Sequence, residues 1–207
     1  MMSTKDRILE AARDLFNTTG IDNVSTRTIC DRLKISPGNF TYYYTNKNQI
    51  VADLYASMRE ECKVTFAAIA GSNPGILTYL EMHQKLFQIQ DNYKFLYLNL
   101  FEIVTNNPEI KEAYLLESKL EHKAAIEMLR YYAEKNVLKK GISDEEYEKF
   151  VNVGQILNNA WLVDAEVFYK GNQKKKMSYY MGICCGLLEP YLTEKAAKEY
   201  RDFFKNL

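Results

Sequence analysis

The sequence from Val24 to Lys47 is VSTRTICDRLKISPGNFTYYYTNK, and this stretch decides the fold of the N-terminal part of the chain. Its first half predicts a short helix. Ser25 is a favourable N-cap residue, and Ile29 and Leu33 follow on one face at i, i+4 spacing, which suits burial in a core. Cys30 is small enough to let a second helix approach closely.

The second half of the stretch predicts a tight turn and another helix. Lys34 and Ile35 lie at the turn, and Ser36 with Pro37 supplies an N-cap and a first-turn proline for a very short helix. Two short helices joined in this way form a helix-turn-helix, whose second helix enters the major groove of DNA with its N-terminus first.

Helices are also predicted on both sides of this stretch. Residues 4–18 form an amphipathic pattern that Gly20 is expected to end in a left-handed conformation. The apolar face of this helix consists of Ile8, Ala11, Ala12, Leu15 and Phe16. Thr45 or Asn46 provides the N-cap of a longer helix after the stretch.

Charge is distributed unevenly along the chain. The whole protein has 27 Lys and Arg against 27 Asp and Glu, a formal net charge of zero. Residues 24–48 instead carry four basic side chains and a single acid, Asp31. The basic residues are Arg27, Arg32, Lys34 and Lys47. A protein that coats nucleic acid without specificity is usually basic overall, so DNA binding is expected to use this local patch.

Residues 1 to about 60 resemble the DNA-binding signature of the TetR family. The cap, the small residue, the turn, the Ser-Pro-Gly start, the aromatic cluster and the Asn-Lys pair all fall in register. Three positions depart from the family pattern: Lys34 stands where glycine is common, Thr41 replaces a frequent tyrosine, and Tyr44 replaces a frequent phenylalanine. A left-handed Lys34 would cost about 1 kcal/mol.

The resemblance implies a transcriptional regulator, a repressor that binds a palindromic operator in double-stranded DNA as a homodimer and is released by a small-molecule ligand. A three-helix, helix-turn-helix DNA-binding domain is expected at residues 1–48, with a connecting helix at about 46–70. A larger helical domain for ligand binding and dimerisation is expected at residues 71–207.

The candidate DNA contacts each have a physical role. Ser25 and Thr26 lie at a helix N-terminus, where hydroxyls and free backbone N–H groups suit a phosphate oxygen. Arg27 reaches a phosphate or the paired acceptors of guanine, and Lys47 is a natural phosphate clamp. The candidates on the second helix of the motif and at its N-cap are Ser36, Pro37, Gly38, Asn39, Thr41, Tyr42 and Tyr43.

Within that second helix the side chains divide by position. Gly38 permits close approach of the backbone to DNA, and Asn39 either contacts adenine or caps the helix. Phe40 and Tyr44 are spaced i, i+4 and are expected in the core. A purely structural helical hairpin is the alternative interpretation of the whole motif.

The clearest break in the pattern is the turn-rich segment Gly71-Ser72-Asn73-Pro74-Gly75. Helices are expected beyond it near residues 109–136, 144–169 and 175–190. Ser143 and Glu146 form a capping box for the second of these, Pro190 limits the last, and Lys174–Lys176 is expected to be an exposed connection. Alternating, strand-like patterns are absent, so the protein is predicted to be all-α.

Four aromatic residues are candidates for a ligand pocket. Members of the family bind small molecules in the larger domain, so the resemblance implies ligand contacts there. The candidate contacts are Tyr93, Tyr97, Phe101 and Trp161. Aromatic residues at helical spacing more often pack in a core, and that alternative stays open.

The two predicted helices at 144–169 and 175–190 correspond by order to the pair that forms the dimer interface in the family. Small and apolar residues on them allow close helix packing. They are Val153, Gly154, Ile156, Leu157, Ala160, Gly182, Ile183, Gly186 and Leu187. Packing inside one chain is the alternative for each residue, whereas a two-fold dimer suits a palindromic operator.

Several classes of protein are not supported by the sequence. No apolar segment approaches the length of a membrane span and no signal-peptide core is present, so a cytoplasmic protein with no membrane partner is expected. The four cysteines include no C-x-x-C pair and are expected to be buried thiols, with no metal and no cofactor. His83 and His122 assemble no catalytic set, which argues against an enzyme. A helical binding or scaffolding dimer with a vestigial helix-turn-helix remains the second hypothesis.

Overall fold

The computed structural model describes residues 2–70 and 75–207, and it is 82% helical with no strands in that part of the chain. The predicted all-α class is therefore confirmed. The helices are α1 (Thr4–Thr19), α2 (Thr26–Leu33), α3 (Pro37–Tyr43), α4 (Lys47–Ala70), α5 (Ile76–Asn92), α6 (Lys94–Leu98), α7 (Leu100–Asn106), α8 (Pro108–Glu134), α9 (Asp144–Phe168), α10 (Lys176–Gly186) and α11 (Glu194–Lys205). None of these described helices is long and apolar enough to cross a membrane.

The chain divides into two compact units. The first contains residues 1–62 and 89–111, and the second contains residues 63–88 and 112–207. The sequence had suggested a division at residues 71–75, of which 71–74 lie outside the described residues. The first unit gains residues 89–111 because the Phe16 and Phe95 rings pack with centroids 5.1 Å apart and the Asn17 side chain bonds the backbone at both Asn92 and Phe95.

The turn between α2 and α3 is a Schellman motif centred on Lys34. The Lys34 N–H donates to the Asp31 carbonyl and the Ile35 N–H donates to the Cys30 carbonyl, at 3.3 and 3.1 Å. Lys34 has φ 55° and ψ 43°, the left-handed helical conformation that normally favours glycine. The sharp change of direction that the helix-turn-helix requires is therefore made at a residue with a Cβ.

The helix ends of the first unit follow their capping residues. Ser25 caps α2 by accepting from Thr28 N, and Ser36 caps α3 by accepting from Asn39 N, as predicted. Of the two residues proposed to cap α4, Asn46 accepts from Gln49 N at 3.1 Å. Gly20 ends α1 with φ 85° and ψ 145°, so the prediction of a left-handed helical glycine was wrong in ψ although the positive φ was right.

A small polar cluster joins α1, α4 and the end of α3. The Tyr44 hydroxyl donates to Asp53 at 2.8 Å, and the Lys5 ammonium lies 2.8 Å from the same carboxylate oxygen. Burial acts to raise the pKa of Asp53, but the bonds from Lys5 and Tyr44 outweigh burial and lower it. Tyr44, found where the family often has phenylalanine, therefore uses its extra oxygen inside the first unit.

The second unit is built around α8, α9 and α10. The capping box of Ser143 and Glu146 opens α9 as predicted, with Ser143 Oγ accepting from Glu146 N at 3.2 Å. Asn136 ends α8 in a second left-handed Schellman turn at φ 56°. The largest fully buried side chains of this unit are Ile76, Leu80, Phe87, Leu129, Leu138, Leu162 and Met181.

Two features of the second unit differ from expectation. Helix α11 follows Thr193 and buries Ala196 and Tyr200, although the pattern predicts no helix beyond Pro190. Lys176 was expected in an exposed connection, but it begins α10 and its half-buried ammonium lies 3.0 Å from Glu166. The long aliphatic stem of lysine explains how such a residue can be partly covered.

Candidate functional site

Helix α3 is seven residues long and divides sharply into a buried and an exposed side. The Phe40 and Tyr44 side chains are each only 3% exposed, with their ring centroids 6.3 Å apart. Their predicted place in the core is therefore confirmed. The residues on the other side are exposed: Pro37, Gly38, Asn39, Thr41 and Tyr42.

Tyr42 is the most prominent side chain on this surface. It is 83% exposed, and its ring meets the half-buried Tyr43 ring edge-on at a centroid distance of 5.0 Å. The Thr41 hydroxyl donates to the Pro37 carbonyl at 2.8 Å and is thus used within the helix. The tyrosine hydroxyls, rather than that of Thr41, are the better placed to reach a phosphate.

The basic residues near α2 and α3 have different surroundings. Arg27 has a side chain that is 89% exposed, and its Nε lies 4.0 Å from Asp31, a distance at which solvent screening leaves little attraction. Arg32 and Lys34 are also exposed. Lys47 is half-buried, and its Nζ donates to the Ile21 carbonyl at 2.6 Å. An ammonium has three N–H donors, so this bond leaves two for a phosphate.

All of the predicted DNA-contact residues lie in the first unit, on two short helices and at three helix starts. Ser25 Oγ is occupied by its capping bond, and Thr26 is half-buried. Both residues lie at the N-terminus of α2. The first backbone N–H groups of a helix lack partners within the helix, so they can bind a phosphate. The geometry thus assembles exposed polar, aromatic and cationic groups on the helix-turn-helix.

A cleft lies within the second unit, lined by α5, α8, α9 and α10. It has an open mouth, and its cavity volume is about 160 Å³. This is smaller than the roughly 300–1,000 Å³ of most ligand pockets, so the cleft suits a small molecule. The apolar part of the wall is formed by Tyr79, Leu86, Phe87, Phe150 and Val151.

The cleft also has a polar part, which contains His83, Glu121, Gln155, Asn158 and Cys184. Burial lowers the pKa of His83 to about 4 and raises that of the Cys184 thiol to about 11, so both groups are uncharged near neutral pH. The expectation that all four thiols are buried is wrong for Cys184, which is half-buried. Cys30, Cys62 and Cys185 are buried as predicted.

The four aromatic residues first considered as ligand contacts do not line this cleft. Tyr93 is 2% exposed in the first unit and donates its hydroxyl to Glu61 at 2.6 Å, and Phe101 in the same unit is 83% exposed. Tyr97 also belongs to that unit. Trp161 is buried in the second unit, directly behind the wall: its ring stacks on Phe87 at 4.7 Å.

A stripe of exposed apolar side chains runs along α9 and α10. Ile156, Val163 and Val167 on α9 are 66%, 44% and 54% exposed, and Tyr179 and Ile183 on α10 are 54% and 44% exposed. Their spacing of four or seven residues places the members from each helix on one face. We call these five residues the α9–α10 stripe.

The glycines of α10 do not belong to this stripe. An added Cβ at Gly182 would lie 3.7 Å from the Phe204 ring, and one at Gly186 would lie 3.6 Å from the Tyr200 hydroxyl. Both glycines therefore face α11 within the same chain, which favours intramolecular packing over the dimer contact first considered. Gly154 lines the cleft instead.

Known proteins resemble this chain in both sequence and fold. Probable HTH-type transcriptional regulator YttP of Bacillus subtilis is 28% identical over 125 residues, so the match covers 57% of this chain and 60% of that relative. A TetR-family transcriptional regulator from Marinobacter aquaeolei VT8 superimposes with a TM-score of 0.85 over 99% of this chain and 98% of the other, at 19% identity. A transcriptional regulator from Saccharomonospora viridis, solved in complex with choline, gives a TM-score of 0.68 over 92% and 97%, at 18% identity.

Two family models account for most of the sequence. The model of bacterial regulatory proteins of the tetR family matches residues 8–54, which contain the helix-turn-helix. The TetR model, described as a bacterial transcriptional repressor, matches residues 51–200. The chain belongs to the TetR family of DNA-binding transcriptional regulators.

Proposed function

We propose that this regulator is a repressor that binds a palindromic operator as a homodimer and leaves it when a small molecule occupies the cleft of the second unit. The observation that carries the proposal is the division of α3. Two buried rings, Phe40 and Tyr44, hold a helix whose remaining exposed surface is polar and aromatic. A helix held in this way presents its N-terminal residues to base edges in the major groove.

The homodimer rests on the α9–α10 stripe. Isolated apolar residues on a surface are ordinary, but rows of exposed apolar residues on two adjacent helices are typical of an interface. A second copy of the chain is the partner that suits a palindrome, because a two-fold axis places two copies of α3 in successive major grooves, about 34–36 Å apart.

Release by a ligand rests on the cleft. The Saccharomonospora viridis relative was solved with choline, which shows that a protein of similar fold holds a small molecule. The ligand needs only a different affinity for the DNA-bound and DNA-free states, and a coupling of about 1–3 kcal/mol is typical. The cytoplasm is the compartment expected for a repressor of this type.

Selection of DNA from a random pool, followed by fluorescence polarisation on the recovered sequence, tests the DNA-binding part. We expect a palindrome and a steep dependence of affinity on salt. Arg27→Ala should weaken binding, and Lys47→Ala should lower the salt slope by about one. Arg201→Ala, an exposed arginine in the second unit, is the matched control and should have no effect. Unchanged affinity in both test variants would contradict the proposal that this face of the helix-turn-helix binds DNA.

Sedimentation equilibrium tests the dimer. Val163→Glu places a charge in the α9–α10 stripe and should shift the protein towards monomer. Val64→Glu is the control, since Val64 is 60% exposed on α4 and lies outside the stripe. A Val163→Glu protein that stays dimeric while folded would contradict this interface.

Gly154→Leu tests the role of the cleft. A Cβ at Gly154 meets nothing within 4 Å, so a side chain can begin there, and the rest of a leucine should fill part of the cleft that Gly154 lines. The variant should bind the operator as the wild type does and should no longer release it when an effector is added. Normal release would place the effector elsewhere.

A further inference from the structure

His83 lines the cleft, and a hydrogen bond fixes its imidazole ring. Its Nδ1 lies 2.9 Å from the carbonyl oxygen of Tyr79, one turn earlier on α5, and the two rings pack with centroids 4.0 Å apart. A carbonyl oxygen only accepts, so Nδ1 must carry the proton in this bond. Nε2 is then the unprotonated nitrogen, with a lone pair that can accept a hydrogen bond.

Other polar groups of the cleft wall are already engaged. The Gln155 amide accepts from His122 Nδ1 at 3.3 Å and donates to the Ser118 carbonyl at 3.4 Å. Glu121 and Asn158 also have partners within the protein. Glu121 is the one acidic side chain among the described lining residues, and a cation in the cleft would compete with the interaction that Glu121 already makes.

The cleft wall has no cationic group to hold an anion. Among the described lining residues there is no lysine and no arginine, and burial keeps His83 in its neutral form. Burial likewise raises the pKa of the Tyr79 hydroxyl far above its usual range, so that group stays protonated. An anionic ligand would therefore have to give up its hydration without a matching charge in return, which is unfavourable.

We propose that the cleft takes an uncharged, largely apolar molecule with one hydroxyl or N–H group, which donates a hydrogen bond to Nε2 of His83 while the apolar part packs on Phe87 and Phe150. This inference rests on the proposed function, because it names the ligand class of the same cleft. His83 is then the residue that sets specificity, and the aromatic wall supplies most of the buried contact.

The protein contains its own reporter of cleft occupancy. Trp161 is its single tryptophan, and its ring stacks on Phe87 at 4.7 Å with an interplanar angle of 25°. A molecule that packs on the other side of Phe87 should change the environment of the indole and hence its fluorescence.

The test uses four probes that share a phenylbutyl body: 4-phenylbutanol, 4-phenylbutyrate, 4-phenylbutylammonium and butylbenzene. Tryptophan fluorescence titration, with calorimetry as a check, gives the four dissociation constants for the full chain. We expect the alcohol to bind roughly fivefold more tightly than butylbenzene, as befits one neutral hydrogen bond. Both ions should bind at least roughly tenfold more weakly than the alcohol.

His83→Phe is the decisive variant because it keeps a ring against Tyr79 and removes the acceptor. It should bind the alcohol and butylbenzene equally, with butylbenzene within roughly twofold of its wild-type affinity. His83→Gln, which retains an acceptor oxygen, should recover part of the preference, and a thermal melt confirms that each variant is folded.

The outcomes separate this inference from the proposed function. Tightest binding by either ion, an alcohol preference that survives in His83→Phe, or no binding by any probe would each overturn the ligand class. If the protein still binds its selected DNA in those cases, the DNA-binding function stands. Alcohol binding through His83 in a protein that binds no DNA would instead refute the repressor.

Discussion

Replacing Lys34 by glycine should make the protein more stable, although it removes a side chain. Lys34 is held at φ 55° and ψ 43° by the two backbone hydrogen bonds of its Schellman turn. This conformation costs a residue with a Cβ about 1–2 kcal/mol, whereas glycine adopts it without that steric cost. Glycine also gives the unfolded chain extra freedom, which offsets about 0.5–1 kcal/mol. The net gain is therefore roughly 0.5–1 kcal/mol.

The measurement is urea-induced unfolding of Lys34→Gly beside Lys34→Ala. Both variants remove the same long side chain and the same charge, but alanine keeps the Cβ in the left-handed conformation. The difference between the two free energies of unfolding thus isolates the backbone contribution. Asn136→Gly is a second comparison in the same type of turn, with a smaller expected gain because asparagine tolerates this conformation better. For a chain of this size each kcal/mol corresponds to about 2–4 °C in Tm.

Equal urea midpoints for Lys34→Gly and Lys34→Ala would refute the reasoning, since the strain of the left-handed backbone would then not exceed the roughly 0.5–1 kcal/mol that glycine loses through its extra freedom in the unfolded chain. The same two variants should lose DNA affinity to an equal extent, because each removes one positive charge from the basic patch. A stability gain with a loss of affinity would explain why a lysine is useful at this turn despite its strain.

Three further predictions concern the second unit. Gly154→Ala should raise the free energy of unfolding by about 0.5–1 kcal/mol, because alanine is favoured in a helix and its Cβ would meet no atom within 4 Å. Gly171→Ala should give no such increase, because its Cβ would lie 2.7 Å from a tyrosine ring. The two histidines should act oppositely on stability between pH 8 and pH 4. Burial lowers the pKa of His83 to about 4, so the contribution of His83 to stability is lost as the pH falls below the ordinary value of 6.5. A bond to a glutamate raises the pKa of His122, so the contribution of His122 is present below pH 6.5 and is lost as the pH rises. Thermal melts of single glutamine variants over that range measure each contribution as the wild-type stability minus that of the variant. These two differences should change with pH in opposite directions, and parallel changes would contradict the pair of assignments. Ser143→Ala should cost about 1 kcal/mol through loss of the α9 capping box, and Ser143→Asp should retain most of it in the same urea titration.

The parts of the fold that were predicted correctly are those that depend on short stretches of sequence. The starts of α2, α3 and α9 follow from Ser25, Ser36 and Ser143, each of which bonds a backbone N–H three residues later. Such a bond depends on only four residues, so it is visible in the sequence. The TetR family and the all-α class, inferred from the same local signals, are confirmed.

The parts that were missed depend on packing between distant segments. Helix α11 lies beyond Pro190, which predicts the end of the last helix, although Ala196 and Tyr200 have the i, i+4 spacing of a buried face. The cleft requires side chains from four helices, and no local pattern distinguishes Phe87, which faces it, from Trp161, which lies behind the ring. Interactions of this kind become visible only when the helices are placed in space.

The seven-residue length of α3 has a consequence for how such a regulator changes during evolution. A helix this short has little stability of its own in water, so its position depends on the anchors Phe40 and Tyr44. The residues that face solvent, such as Asn39 and Tyr42, contribute little to that anchoring. Under the proposed function, substitutions among them would exchange one operator for another while the domain stays folded, and a duplicated copy of the gene would acquire a new set of targets through a few changes on a single helix face.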